Sequence, residues 1–450
     1  MLFNSLAFVA FLGVVYGAWR ALPLGAGRYW LLAASCVFYG WWDWRFLGLL
    51  LATATLDWAL ALGMERWPGR RKALVTVSVV SNLGTLAVFK YAGFFSRELA
   101  AALGLASPSM LLGIVLPVGI SFYTFQAMAY TIDVYRGQVA PCRKLLDFLL
   151  FITFFPQLVA GPIERSSHLL PQLLQMRRPA SRKHSEAMWF ITWGYVKKVV
   201  VADNLAPIVA AGFDKDGPGG AAVLLAAYAF TWQIYCDFSG YSDIARGVAR
   251  LFGVDLMENF ARPFFAASPR EVWHRWHVSL SQWLRDYLYL PLGGNRSRPG
   301  FNLMATMVLG GLWHGANYTY LAWGAWHGGA LALGRRLPRP KIPRWLLVVA
   351  TFHLTCLGFV VFRAHSLAHL VEMASSLSSL QLTPTALAHL RTLLWLAVPV
   401  TLLEWVQERQ GTLAVLGWPR SAQACVYALL WTSILVLGSS YGYQFIYFQF

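Results

Sequence analysis

The stretch F-N-L-M-A-T-M-V-L-G-G-L-W-H-G-A-N-Y-T-Y, residues 301–320, is apolar over most of its length yet carries a histidine, His314. About 20 apolar residues in helical conformation cross the hydrocarbon core of a bilayer, so this run reads as a membrane span. Entered at Asn302 from the basic loop Arg296 to Arg298, a helix places His314 on the order of 18 Å along its axis. That depth is near the midplane of a core about 30 Å thick, where a polar group is costly. Gly310, Gly311 and Gly315 around it remove side-chain bulk, which permits a second helix or an extended substrate to approach the imidazole.

Runs of the same character recur outward in both directions: Leu2 to Trp19, Phe46 to Met64, Ala73 to Phe89, Ala221 to Tyr235, Trp345 to Phe362, Leu393 to Trp405 and Ala424 to Leu437. Roughly ten to twelve spans plus re-entrant pieces are expected from that spacing. A hydrophobic content of 57% against 13% charged residues excludes an ordinary soluble globular chain. The expected fold class is an all-α polytopic membrane protein, with residues 1–450 forming one membrane domain. The first apolar run follows Met1 without a basic residue and so reads as a retained helix rather than a cleaved signal. The net charge of +17 sits in short loops, Arg66 to Lys72, Arg177 to His184, Arg296 to Arg298 and Arg335 to Arg344. That is the positive-inside pattern, with anionic lipid headgroups and not nucleic acid as the partner. The five cysteines are scattered without C-x-x-C spacing and read as small buried hydrophobes. No internal repeat is visible of the kind that builds many transporters.

Polar residues interrupt the apolar background most often between 231 and 327. T-W-Q-I-Y-C-D-F-S-G-Y-S-D, residues 231–243, places Asp237, Ser239, Tyr241 and Asp243 in or beside a span, with Gly240 as a candidate helix break. The two acids are expected to pair with Arg246, Arg250 or aromatic donors, since unpaired acids are expensive in lipid. Downstream, Ser268, Pro269 and Glu271 make a capping box, so a helix starts there. Steps of three and four put Trp273, Trp276, His277, Leu280 and Leu284 on one face, giving His277 an inward position on an amphipathic or re-entrant helix.

Two histidines in one polar membrane segment favour chemistry over simple helix bridging. A neutral imidazole can take a proton from a hydroxyl and return it to a leaving group, as acyl transfer from a thioester requires. His274, His277, His314 and His327 do not make a metal-ligand set, so no metal is expected. His274 falls toward the interface. His327, thirteen residues after His314, would lie near the other surface if the helix ran on, in a packing role.

At these residues the chain resembles the membrane-bound O-acyltransferase (MBOAT) family, in its bacterial branch of alginate O-acetylation proteins (AlgI). The resemblance rests on L-P-V-G-I-S-F-Y-T-F-Q-A-M-A-Y-T-I-D-V-Y-R-G (116–137), F-F-P-Q-L-V-A-G-P-I-E-R (154–165) and Y-C-D-F-S-G-Y-S-D-I-A (235–245). It continues in R-W-H-V-S-L-S (275–281), G-L-W-H-G (311–315) and F-I-Y-F-Q-F (445–450). It implies a helical shell around a thin centre, with a through-membrane funnel or tunnel and re-entrant helices. His314 is then catalytic and His277 the second important position. Asp237, Ser239, Tyr241, Trp313 and Asn317, with Tyr123 and Gln126 from the first half, become candidates to line the passage. Glu164 and Arg165 could join them, although for these two, as for Tyr123 and Gln126, a structural role is the better expectation.

The resemblance also implies a bacterial inner-membrane enzyme with no bound cofactor, acetyl-CoA as cytoplasmic acyl donor, and a periplasmic partner resembling an SGNH hydrolase that places the group on an exported polysaccharide, alginate above others. Three rival readings stand beside it: D-alanyl transfer from a carrier protein, as in the related DltB branch, a polysaccharide or solute transporter, and a non-catalytic scaffold. F-Y-T-F-Q and the terminal F-I-Y-F-Q-F favour acetyl transfer, and two intramembrane histidines are unexplained by a scaffold.

Overall fold

The computed structural model describes residues 1–105, 115–159, 161–338, 341–439 and 446, and in them the regular structure is helical. Most of the terminal F-I-Y-F-Q-F motif lies outside the described residues. The helices are α1 (Leu6–Ala21), α2 (Leu24–Gly40), α3 (Trp44–Arg66), α4 (Arg71–Leu86), α5 (Ala92–Ala102), α6 (Ile120–Tyr135), α7 (Leu145–Thr153), α8 (Phe155–Leu158), α9 (Ser166–Leu174) and α10 (Ser181–Tyr195). They continue as α11 (Asp203–Phe213), α12 (Gly220–Leu251), α13 (Pro269–Arg275), α14 (Val278–Leu284), α15 (Pro299–His314), α16 (Tyr318–Arg336), α17 (Arg344–Arg363), α18 (Leu367–Ser376), α19 (Pro384–Gln410) and α20 (Arg420–Leu437).

Six helical stretches among the described residues are long and apolar enough to cross a membrane: Trp44–Arg66, Pro68–Ala102, Gly220–Leu251, Arg344–Arg363, Pro384–Gln410 and Arg420–Leu437. The expected ten to twelve are not reached by that criterion, because several apolar runs form shorter helices, α1 and α15 of 16 residues each among them. Leu435, Leu429 and Trp395 are 80%, 71% and 69% exposed on their helices. Large apolar side chains facing outward along spanning helices are what a lipid solvent selects. The chain is a multi-pass membrane protein.

By Cα packing the chain forms two compact units, Met1–Ala187 with Ala245–Met257, and Met188–Ile244 with Glu258–Phe450. In the first, Asp57 is fully buried and held by the Ser78 hydroxyl at 2.6 Å and the Asn82 amide at 2.8 Å, with Thr131 beside Ser78. A buried carboxylate is tolerated when its oxygens are so occupied. Gln157 donates to Gln126, which donates to the Phe151 carbonyl, so Gln126 ties α6 to the segment through α7 and α8. Tyr123 is buried in the same unit. Glu164 accepts the Met257 amide and meets His168, both at 2.7 Å.

The second unit holds the polar segment apart from residues 245–257. Its α12 runs without interruption through Gly240, contrary to the expected break. The glycine serves close approach instead. A Cβ on Gly240 would stand 2.8 Å from the Gly194 carbonyl oxygen, and one on Gly194 would stand 2.6 Å from that of Gly240. Where the backbones touch in this way, only hydrogen fits.

Candidate active site

His277 sits at a break that the helical spacing did not foretell. The capping box is present: Ser268 Oγ accepts the Glu271 amide and Glu271 Oε2 accepts the Ala267 amide. The helix it starts, α13, ends at Arg275. Trp276 is extended, His277 is left-handed at φ 43°, ψ 53°, and α14 begins at Val278. The expected continuous face from Trp273 to Leu284 is therefore two seven-residue helices with His277 at their joint. A non-glycine residue in the left-handed region costs about 1–3 kcal/mol and persists only where surroundings enforce it.

Those surroundings are a strand-like pairing of residues 259–261 with 275–278. The Ala261 amide donates to Arg275 O at 2.8 Å and the Val278 amide to Asn259 O at 2.9 Å. Farther out, Glu408 of α19 receives both Arg275 and Arg262, and Glu271 receives Arg275 and Arg344. At Glu271, burial works to raise the carboxyl, but the Ala267 amide and the two arginines outweigh it and hold it below the ordinary carboxylate range.

His314 is the last residue of α15. The chain then reverses through Gly315, and Asn317 caps α16 by accepting the Thr319 amide at 3.1 Å while donating to His365 O at 2.9 Å. The run 301–320 is thus a helix and the start of its returning partner, not one span. The glycines admit that partner helix: a Cβ on Gly311 would lie 2.1 Å from Tyr320 O, and one on Gly324 2.4 Å from Met307 O. The reversal also overturns the placement of His327 at the far surface. It returns the His327 ring to 4.9 Å from Trp323, the indole that stands 5.0 Å from His314.

The imidazoles are set in aromatic walls. Trp313 is shared, with its ring centroid 6.2 Å from His277 and 4.9 Å from His314. His277 is fully buried and also meets Phe238 edge-on at 4.8 Å. His314, 5% exposed, is closed in by Trp323 and Phe362 at 5.0 and 5.3 Å. The structure thus brings His277, Trp313 and His314 into one neighbourhood, which helix arithmetic alone does not do. Among the described residues no group of three or more His, Cys, Asp or Glu side chains is placed to hold a metal ion.

Of the other candidates, Asp237, Ser239 and Tyr241 are buried on α12. Asp237 pairs with Lys198 at 2.6 Å and accepts the Ile446 amide at 2.7 Å. Lys198 also reaches Asp203, and Lys197 pairs with Asp243. These cations come from a π-helical stretch, Val196–Ala202, and were not among the expected partners, while Arg250 bonds Asp255. Tyr241 lies with its ring 5.9 Å from Lys198 Nζ, and Ser239 is buried on the same helix. Tyr123 and Gln126 belong to the first unit. Asn259, Trp323 and Phe362 went unnoticed in the sequence. Only Asn259 left a signal there, a polar residue directly before the aromatic-rich run Phe260 to Phe265.

A sequence profile of the membrane-bound O-acyltransferase family, MBOAT, matches residues 142–339, which include His277, Trp313 and His314. Over 82% of its length the chain is 42% identical to the probable alginate O-acetylase AlgI of Azotobacter vinelandii, covering 76% of that protein. It is 38% identical to the probable alginate O-acetylase AlgI of Pseudomonas putida across the whole of both chains. A peptidoglycan O-acetyltransferase of Helicobacter pylori is 34% identical over 82% of this chain and 78% of its own.

Proposed function

Since the chain belongs to the membrane-bound O-acyltransferase family, we propose that it takes an acetyl group from acetyl-CoA and hands it across the bacterial inner membrane for O-acetylation of an exported polysaccharide. The observation that carries the reading is the single indole, Trp313, against which both His277 and His314 pack. Two imidazoles in one buried, aromatic-walled place support a reading in which protons move during transfer between a thioester and a hydroxyl.

In this reading His314 accepts the proton of the attacking hydroxyl as its oxygen bonds to the thioester carbonyl carbon. The tetrahedral intermediate then collapses with cleavage of the carbon–sulfur bond, and the proton passes from His314 to the departing thiolate. His277, held rigidly at its helix joint, orients the reacting groups and stabilises the oxyanion. Asp237, Ser239, Tyr241, Trp313 and Asn317 shape the surroundings of that step, and Tyr123 and Gln126 belong to the scaffold.

Alginate is the favoured final acceptor because the two relatives near 40% identity carry that name, with peptidoglycan the next choice. A periplasmic SGNH-hydrolase-like protein is the proposed recipient that completes the transfer. D-alanyl transfer from a carrier protein is the nearest competing chemistry. The two separate by donor: purified protein given labelled acetyl-CoA and, separately, D-alanyl carrier should move only the acetyl label to an acceptor. Label arriving from the carrier alone would replace the proposed donor.

A further inference from the structure

We infer that Asn259 is a positioning residue that acts through His277. Buried to 1% exposure, it bonds the joint carrying that histidine through both backbone and side chain. Its carbonyl accepts the Val278 amide at 2.9 Å. Its Oδ1 accepts the Ser279 amide at 3.3 Å and the Ser279 hydroxyl at 2.9 Å, and its Nδ2 reaches Ser242 Oγ on α12 at 3.4 Å.

The arrangement solves a capping problem. A helix start needs a side-chain oxygen to satisfy its first amides, and the residue at the cap normally supplies it. At α14 that position is His277, whose side chain makes no capping bond. Asn259 supplies the oxygen from a separate segment, so the imidazole is directed at Phe238 and Trp313 instead of at the helix end. The Ser242 contact ties the same amide to α12, the helix that carries Phe238. The left-handed backbone of His277 is thereby bracketed by Ala261···Arg275 on one side and by Asn259 on the other. Without the clamp, Trp276 and His277 can relax toward the helical spacing that Trp273 and Leu280 share, and the imidazole leaves Trp313.

The inference rests on the proposed role of His277, and the test separates the two. Asn259→Ala, Asn259→Asp, His277→Ala and the Asn259→Ala/His277→Ala double variant are purified as full chains and compared in acetyl transfer from acetyl-CoA. Displacing a catalytic group by about 1 Å costs on the order of 100-fold in rate, so Asn259→Ala should lower kcat by about that factor with little change in KM. Asn259→Asp keeps the oxygen that caps α14 and should recover to within about tenfold of wild type. The double variant should be no slower than His277→Ala. Independent, multiplying losses, or a folded Asn259→Asp no better than Asn259→Ala, would overturn the assignment. If Asn259→Ala does not fold, Ser279→Ala removes only the 2.9 Å bond, and an unchanged kcat there would overturn it equally. Full activity in His277→Ala would instead refute the role of His277 itself.

Discussion

Gly311→Ala should disable the site without touching a histidine. The Cβ added at residue 311 would stand 2.1 Å from Tyr320 O and 3.3 Å from Gly324 Cα. Both obstacles are backbone, so no flexible side chain can swing aside, and α15 and α16 must part by about 1 Å to restore ordinary contact. His314 is three residues farther along α15, and Trp323, its wall at 5.0 Å, is on α16, so the separation opens the gap between them. Overpacking of this kind costs about 1–3 kcal/mol of stability, and a displacement of that size near the reacting atoms lowers the rate on the order of 100-fold. Gly310→Ala is the matched control: its Cβ would meet only the side-chain tip of Leu284, at 3.1 Å, so activity should stay within a few-fold of wild type. Initial rates with labelled acetyl-CoA, normalised to monodisperse protein and read beside thermal melts, measure both effects. Wild-type turnover in Gly311→Ala, or equal losses in the two variants, would refute the claim that the helix approach sets the geometry of His314.

Two further outcomes follow from the charged clusters. Lys198→Met leaves Asp203 and Asp237 without their buried cation, which should cost about 3–5 kcal/mol and collapse the folded yield in detergent, while adding Asp203→Asn and Asp237→Asn should recover part of it; no recovery would count against the ion pairs as the cause. The Glu164 carboxylate, bonded at 2.7 Å, raises the His168 imidazole above its ordinary value against a smaller effect of partial burial. That contribution to stability is complete below the unfolded pKa of about 6.5 and is lost as pH rises through the raised folded value. The melting temperature should therefore fall slightly over that window, and His168→Gln should remove this component; an identical pH slope in the variant contradicts the pairing.

The spanning character and the start of the helix at Pro269 were legible because both are local: apolar runs of membrane length, and a cap with its reciprocal acid. The break at His277 was not, since Trp273, Leu280 and Leu284 keep helical spacing across it and the clamp comes from Asn259, far away in the chain. Gly240 misled because glycine serves both to break helices and to bring them together, and only the facing Gly194 decides between those uses. The partners of the buried acids were hidden by separation, although two adjacent lysines in the apolar stretch V-K-K-V-V-V, residues 196–201, are a signal that they need acids nearby. The reversal that brings His327 back toward His314 was written in A-N-Y-T, residues 316–319, where Asn317 is a good helix cap.

In the proposed mechanism His314 handles the proton in acyl transfer. The most direct measurement compares wild type with His314→Ala, at equal amounts of folded protein, in moving labelled acetyl from acetyl-CoA to the acceptor. His314→Ala should retain under about a thousandth of wild-type kcat/KM, the upper range for removal of a general base. Transfer by His314→Ala at a rate near wild type would contradict it.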